Sequence, residues 1–277
     1  ITHKFRTMAD RHDIMWYDCL DSTNEEVRRH IDSLDNLSVV SALSQTAGRG
    51  QRGNTWTSAP GDNLTFSVLL KFRPDIDTHE EHSGSYFPCL KAIDQSVISE
   101  IAALSLVEFL QEHEIKASIK WPNDIYVGKK KICGVLIENK LRGNYISHCI
   151  LGIGLNINQR NFDVNLPNPT SMLLESPKQT CFIDSLTSKY DIRSLLEEFM
   201  DILTENYRRK LCKPDKVRSC YLSRLWRLDT PAQFIGNDGK EFTGIIRGLS
   251  PIGNLLIEET KANSIKEFAF KEISYII

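Results

Sequence analysis

The sequence lacks an excess of either charge: 34 Lys and Arg face 36 Asp and Glu across 277 residues, a formal net charge of −2. General nucleic-acid binders carry a strong basic balance, so that class is disfavoured. No run approaches the roughly 18 uncharged apolar residues of a membrane-spanning helix, and the polar N-terminus lacks the apolar core of a secretory signal. The seven cysteines (Cys19, Cys89, Cys133, Cys149, Cys181, Cys212 and Cys220) are odd in number and contain no CxxC pair. That argues against a disulfide framework or a zinc site and for a reducing cytoplasm. Internal repeats and low-complexity tracts are absent. Two common phosphate signatures are missing as well. The Gly-rich segment at 48–53 is not followed by Gly-Lys-Ser/Thr, and no helix opens there as a dinucleotide fingerprint requires.

What is present suits a globular chain with one large domain, or a larger one plus a small one. Ser22 with Glu25 three residues on reads as a capping box, opening a helix that runs to about His30 or Leu34. Leu37–Ser44 and Leu64–Phe72 read as strands, separated by a polar, Gly-rich loop over 48–61. Residues 73–86 form an acidic excursion, and 97–109 has helical apolar spacing. Short apolar runs follow at 118–121, 125–127, 132–137 and 148–157, with Gly128 at a hairpin tip. A helix over 191–211 would bury Ile192, Leu195, Leu196, Phe199 and Ile202. After about Leu225, short strands alternate with turns at 236–239, 250–253 and 261–263, the texture of a small β-barrel. The pattern predicts an α+β fold with a mostly antiparallel sheet, and two units, 1–225 and 226–277.

Four segments carry chemistry, each with a plainer alternative. Gly48-Arg49-Gly50-Gln51-Arg52-Gly53 combines close-approach backbone N–H groups with forked cationic donors, suited to a phosphate or acyl-adenylate; it reads equally as a flexible loop with solvated arginines. Lys120-Trp121-Pro122-Asn123-Asp124 is either a structural turn or a polar site where Asp124 orients a metal or an incoming amine. In Lys129-Lys130-Lys131, a lysine run is ordinarily a solvated tip, yet Lys131 directly precedes an apolar strand and can turn inward. Gly152-Ile153-Gly154-Leu155-Asn156-Ile157-Asn158 is a bent core strand, or one that a ligand approaches closely. Asn156 there needs hydrogen-bond partners if buried.

Taken together, Ser22-Thr23-Asn24, the 45–53 segment, Trp56, KWPND at 120–124, Lys131 with Gly134, and GIGLNIN at 152–158 resemble, in order and spacing, the biotin protein ligases. The tail ending in Phe270-Lys271-Glu272-Ile273 is similar to that family's small SH3-like domain. The resemblance implies a class II synthetase-like catalytic domain. It implies an enzyme that activates biotin with ATP, accompanied by Mg²⁺, to biotinyl-5'-AMP. The biotin then passes to a lysine of a biotin carboxyl carrier protein of acetyl-CoA carboxylase or a related carboxylase. By position, Ser22, Thr23, Asn24 and Gln45 would contact the biotin head. Arg49, Gly50 and Gln51 would belong to the loop that folds over biotin and adenylate. Lys131 would contact the reacting carboxylate and phosphate, Trp56 would stack on adenine, and Arg52, Asn123 and Asn156 would reach the nucleotide. Asp124 would stand near the acceptor lysine or the metal; Lys131, Arg49 and Asp124 are the catalytic candidates, with no dedicated protein metal site expected. The chain departs from the family's frequent GRGRRG at Gln51, which removes a charge from the clamp. With Ser22 so near the start, an N-terminal winged helix is not expected, nor is DNA or membrane binding. The competing readings are a lipoate ligase or octanoyltransferase, and a non-catalytic biotin sensor.

Overall fold

The computed structural model describes residues 12–73, 88–177 and 189–277. The acidic excursion, from residue 74 on, and Cys181 lie outside the described residues, as does the side chain of Arg52.

The first sheet has seven strands: β1 (Ile14–Tyr17), β2 (Val39–Ala42), β3 (Leu64–Lys71), β4 (Ser118–Lys120), β5 (Asp124–Val127), β6 (Lys130–Arg142) and β7 (Tyr145–Leu155). Their order is β1-β2-β3-β7-β6-β5-β4. Only β1 and β2 run parallel; every other pairing is antiparallel. Side chains alternate between the two faces of a strand, and here both faces are covered. On one face Ile14, Trp16, Val39, Phe66, Val68, Leu151 and Ile153 join the large core beneath α2 (Ser96–Glu112). On the other, Met15, Val40, Leu69 and Ile150 pack with Val27 of the short helix α1 (Thr23–Arg29). Burial on both sides explains why β3 reads LTFSVLLK rather than as an alternating strand.

The helical part continues with α3 (Met172–Glu175), α4 (Ile192–Lys210) and α5 (Pro214–Ser223). In α4, Leu195, Leu196, Phe199, Met200 and Leu203 are buried, whereas Ile192 and Ile202 only pack partly against the core. Neither α3 nor α5 is anticipated by the apolar spacing; α5 is mostly polar, buries only Val217 and Tyr221, and starts on Pro214.

A second, five-stranded antiparallel sheet follows: β8 (Pro231–Gly236), β9 (Glu241–Leu249), β10 (Leu255–Glu259), β11 (Ser264–Phe268) and β12 (Ile273–Tyr275), ordered β11-β10-β9-β8-β12. The α+β expectation of a mixed, mostly antiparallel sheet with helices plus a smaller β unit therefore holds. Phe234, Ile246, Leu255, Ile257 and Ile273 belong to the same apolar cluster as the first sheet. The two sheets are also tied by polar contacts. Trp226 donates from its backbone to Ile119 O at 2.7 Å, and Trp121 Nε1 donates to Gly253 O at 3.0 Å. Arg218 on α5 reaches Glu100 on α2 and Ser250 O. Among the described residues, no helix is long and apolar enough to cross a membrane.

Two local expectations are corrected. Ser22 occupies the N-cap of α1, but its side chain makes no capping bond; Glu25 turns outward to pair with Arg28 and Arg49 instead of reaching back. The helix ends at Arg29 with His30 as its C-cap, at the nearer of the two expected ends. Secondly, the Gly-rich segment is not an open loop. Trp56 N donates to Gly48 O (2.9 Å) and Gly50 N to Asn54 O (2.7 Å), closing a tight hairpin around a 3₁₀ turn at Gln51–Gly53.

Candidate active site

The face of the first sheet toward α1 is hollowed by glycines. On it, register sets Ser67 beside Gly152 and Gly152 beside Leu136; one pleat along, Thr65, Gly154 and Gly134 form the next row. A side chain on Gly152 would stand 3.1 Å from Asn24 Cγ and closer still to Oδ1. One on Gly154 would stand 2.6 Å from Cζ2 and Nε1 of Trp56, and one on Gly134 would meet Lys131 Nζ and Trp56 Cζ3 at 3.2 Å. The glycines of the GIG run are thus spaces for the side chains of Asn24 and Trp56.

Above this trough lies a cavity of about 390 Å³. Its polar end is formed by Ser22, Thr23 and Asn24 at the start of α1 and by Gln45, three residues beyond β2. These groups are tightly interlinked. Gln45 Oε1 accepts from Thr23 N at 2.8 Å, Ser67 Oγ lies 2.7 Å from Thr23 Oγ1 and 2.5 Å from Asn24 Oδ1, and Asn24 Nδ2 donates to Glu138 Oε2 at 2.7 Å. Glu138 in turn meets Arg28 at 3.0 Å.

The opposite end is charged. Lys131 Nζ pairs with Asp124 Oδ1 at 2.8 Å and stands 5.9 Å above the Trp56 ring. Of the lysine run, Lys129 and Lys130 are exposed while Lys131 turns into the cavity. Arg49, Gly50 and Gln51 contribute the rim. Arg49 is held by Glu25, and Gln51 Nε2 donates to Val135 O, the same carbonyl that accepts from Asn123 Nδ2. The Trp56 indole Nε1 is buried without a hydrogen-bond partner among the described residues, an orphan donor beside the cationic end.

Among the candidates whose side chains are described, Asn156 lies off the cavity wall. It is buried, but its Nδ2 donates to Thr170 O at 2.9 Å and it does not line the cavity. Cys133 is a core residue, its thiol pushed up by burial and so kept neutral. The motifs also missed part of the wall. Phe270, Ile273, Ser274 and Tyr275 close the cavity from the second sheet, with Phe270 set edge-on to Trp121 at 6.4 Å and Lys120 Nζ 5.0 Å above the rings of Tyr126 and Tyr275. Lysine sandwiched by aromatic rings is favourable, but the tail's short polar strands carry no signal for where they pack. Ser67 and Glu138 were missed as well; a hydroxyl inside LTFSVLLK is the clue, since a buried one needs a partner.

The chain is thus a two-sheet α+β protein whose cavity is polar at the Ser22–Asn24 and Gln45 end and charged at the Arg49, Asp124 and Lys131 end. The chain belongs to the biotin/lipoate A/B protein ligase family, whose family model matches residues 16–156. It is 28% identical over 246 residues to the bifunctional ligase/repressor BirA of Salmonella typhimurium, covering 87% of this chain and 68% of that protein. To the biotin–[acetyl-CoA-carboxylase] ligase of Paracoccus denitrificans it is 28% identical over 247 residues, covering 86% and 90%. Among solved structures, the biotin protein ligase from Aquifex aeolicus in complex with biotin and ATP superposes with a TM-score of 0.70 at 28% identity, over 95% of this chain and 97% of that one.

Proposed function

We propose that this chain is a biotin protein ligase that activates biotin with ATP to biotinyl-5'-AMP and transfers the biotin to a lysine of a biotin carboxyl carrier protein, of acetyl-CoA carboxylase or a related carboxylase, in the cytoplasm. The observation that carries this is the meeting, in one cavity, of the Ser22–Asn24 and Gln45 wall with Arg49, Trp56, Asp124 and Lys131.

A carboxylate is a poor acyl donor because oxide is a poor leaving group. In the first step a biotin carboxylate oxygen bonds to the α-phosphorus of ATP as the bond to pyrophosphate breaks. Lys131 and Arg49 supply cationic donors where negative charge gathers, and Trp56 offers a face for adenine. Mg²⁺ accompanying ATP would help neutralise its phosphates. In the second step the acceptor lysine amine bonds to the biotinyl carbonyl and AMP departs; Asp124 orients that amine or takes its proton. The Gly48–Trp56 hairpin shields the mixed anhydride from water. Residues 1–225 form the catalytic unit, and 226–277 complete its cavity through Phe270, Ile273, Ser274 and Tyr275.

Biotin-dependent ATP–pyrophosphate exchange tests this. Wild type is expected to exchange and Lys131→Ala to lose nearly all exchange, whereas a non-catalytic biotin sensor would show none in either form. The family also includes lipoate-directed members, so calorimetry with lipoate is the companion measurement. Tight lipoate binding without biotin binding would overturn the assignment.

A further inference from the structure

The hydrogen bonds behind the polar end run in one direction, and their direction is set from outside the cavity. Glu138 is a carboxylate against Arg28 and has only lone pairs to offer, so it must face the NH₂ end of Asn24 (2.7 Å). That orientation turns Asn24 Oδ1 toward Ser67, at 2.5 Å. Ser67 owns a single proton, and an amide oxygen can only accept; the proton therefore goes to Asn24. The second short contact of Ser67, 2.7 Å to Thr23 Oγ1, is then satisfied only if Thr23 donates to Ser67. Ser67 is fully buried and Thr23 and Asn24 nearly so, which denies all three the option of trading these partners for bulk water. With its proton committed inward, Thr23, which lines the cavity, has only lone pairs left on Oγ1 to offer a ligand. Next to it, Gln45 has spent its Oε1 on Thr23 N, so the end it has left to offer is a donor.

Resting on the biotin reading above, we propose that Glu138 and Ser67 are specificity-determining positioning residues. Neither is placed in contact with the ligand; together they polarise the wall so that Thr23 accepts and Gln45 donates, matching a ligand edge in which an N–H adjoins a C=O. A cyclic urea carries that edge. A dithiolane ring carries neither group, and a ring with oxygen in place of the N–H sets lone pair against lone pair at Thr23.

The test uses the full chain and calorimetry with three ligands: biotin and the two cyclic carbamates in which one or the other ring N–H is replaced by oxygen. Wild type is expected to bind biotin and to reject one of the two carbamates by about 100-fold, the scale of an unmet buried polar group. In Ser67→Ala the freed Thr23 proton can turn to the ring oxygen, and the preference for biotin over that carbamate should narrow at least tenfold. Glu138→Met, which lets the Asn24 amide reverse, should narrow it likewise. Glu138→Gln retains an acceptor oxygen for Asn24 and should keep the wild-type preference. ATP binding and the melting curve of each variant report on the fold. Variants that weaken biotin and carbamate by equal factors would reduce Ser67 and Glu138 to structural supports and overturn the proposal. Wild type failing to bind biotin at all would sink the functional assignment itself, and this inference with it.

Discussion

The Trp56 indole lies against the backbone of Gly154, so close that even one methyl at 154 would collide with Cζ2 and Nε1. Gly154 has ordinary strand geometry and is not among the residues with positive φ, so the space, not backbone freedom, is what demands glycine here. Gly154→Ala should therefore displace the Trp56 ring, while leaving the Ser22–Asn24 wall alone. The expected outcome is a KM for ATP raised about tenfold with the biotin Kd within about twofold, in line with losing part of one aromatic stacking contact. An unchanged KM for ATP would remove Trp56 from the nucleotide site.

Lys131 and Asp124 touch at 2.8 Å yet are assigned to different steps. In the proposed mechanism Lys131 answers the charge that builds during adenylation, and Asp124 serves the incoming amine. Asp124→Asn keeps the shape and a hydrogen-bonding oxygen for Lys131 but cannot take a proton. Pyrophosphate exchange should stay within about tenfold of wild type, and single-turnover transfer from preformed biotinyl-5'-AMP should fall by about 10²- to 10⁴-fold, the usual weight of a general base. Equal losses in both half-reactions would mean that Asp124 acts only by holding Lys131.

The parts of this architecture that were legible in the sequence are those where neighbouring residues carry the message. Ser22-Thr23-Asn24, the Gly-Arg segment and Lys131 are local, and the structure gathers them at one cavity. Hairpins join β4 to β5, β5 to β6 and β6 to β7, but the pairing of β3 with β7 is long-range and no local run of residues announces it. What stayed hidden depends on side chains meeting across long sequence separations. Ser67 meets Thr23 and Asn24 across more than forty positions, and Asn24 meets Glu138 across 114. The capping box failed for the same reason: Glu25 had better partners in Arg28 and Arg49, the second of which only tertiary structure brings near. Asn156 needed a partner because it is an amide in an apolar run; the Thr170 carbonyl is one.

The second sheet is not a detachable appendage in packing terms. Phe234, Ile246 and Ile257 are fully buried in the core shared with the first sheet, and Ile119 exchanges backbone hydrogen bonds with Arg224 and Trp226 at the edge of β4. Ending the chain at residue 225 would bare Trp121, now only 6% exposed, and open the cavity wall. Such a truncated chain should aggregate or lose its near-UV circular dichroism. A monomeric fragment with a cooperative melt would show instead that residues 1–225 fold alone.

Glu100 and Arg218 provide the sharpest test of how that second sheet is held. Glu100 Oε1 accepts from Arg218 Nε at 2.9 Å, and the same guanidinium donates to Ser250 O at 2.7 Å and to Ser96 Oγ at 3.1 Å. Burial lifts the Glu100 carboxyl above its ordinary value even though Arg218 pulls it down. A carboxyl raised in the folded state favours folding below its unfolded pKa and gives up that contribution as pH rises through the folded one. Arg218→Met removes the opposing pull, lifts Glu100 further and strands its charge at neutral pH. Unfolding by urea at pH 7 should show a loss of about 3 kcal/mol, the cost of breaking a buried pair from one side. As pH falls toward the ordinary carboxylate range, near about 4.3, Glu100 takes up its proton in the variant and the gap to wild type should shrink. Adding Glu100→Leu should recover most of the loss at pH 7, because an apolar pair of similar volume carries no stranded charge. A deficit that is the same at both pH values and untouched by the second substitution would locate the role of Arg218 in its bond to the Ser250 carbonyl, as a mechanical tie between α5 and the second sheet.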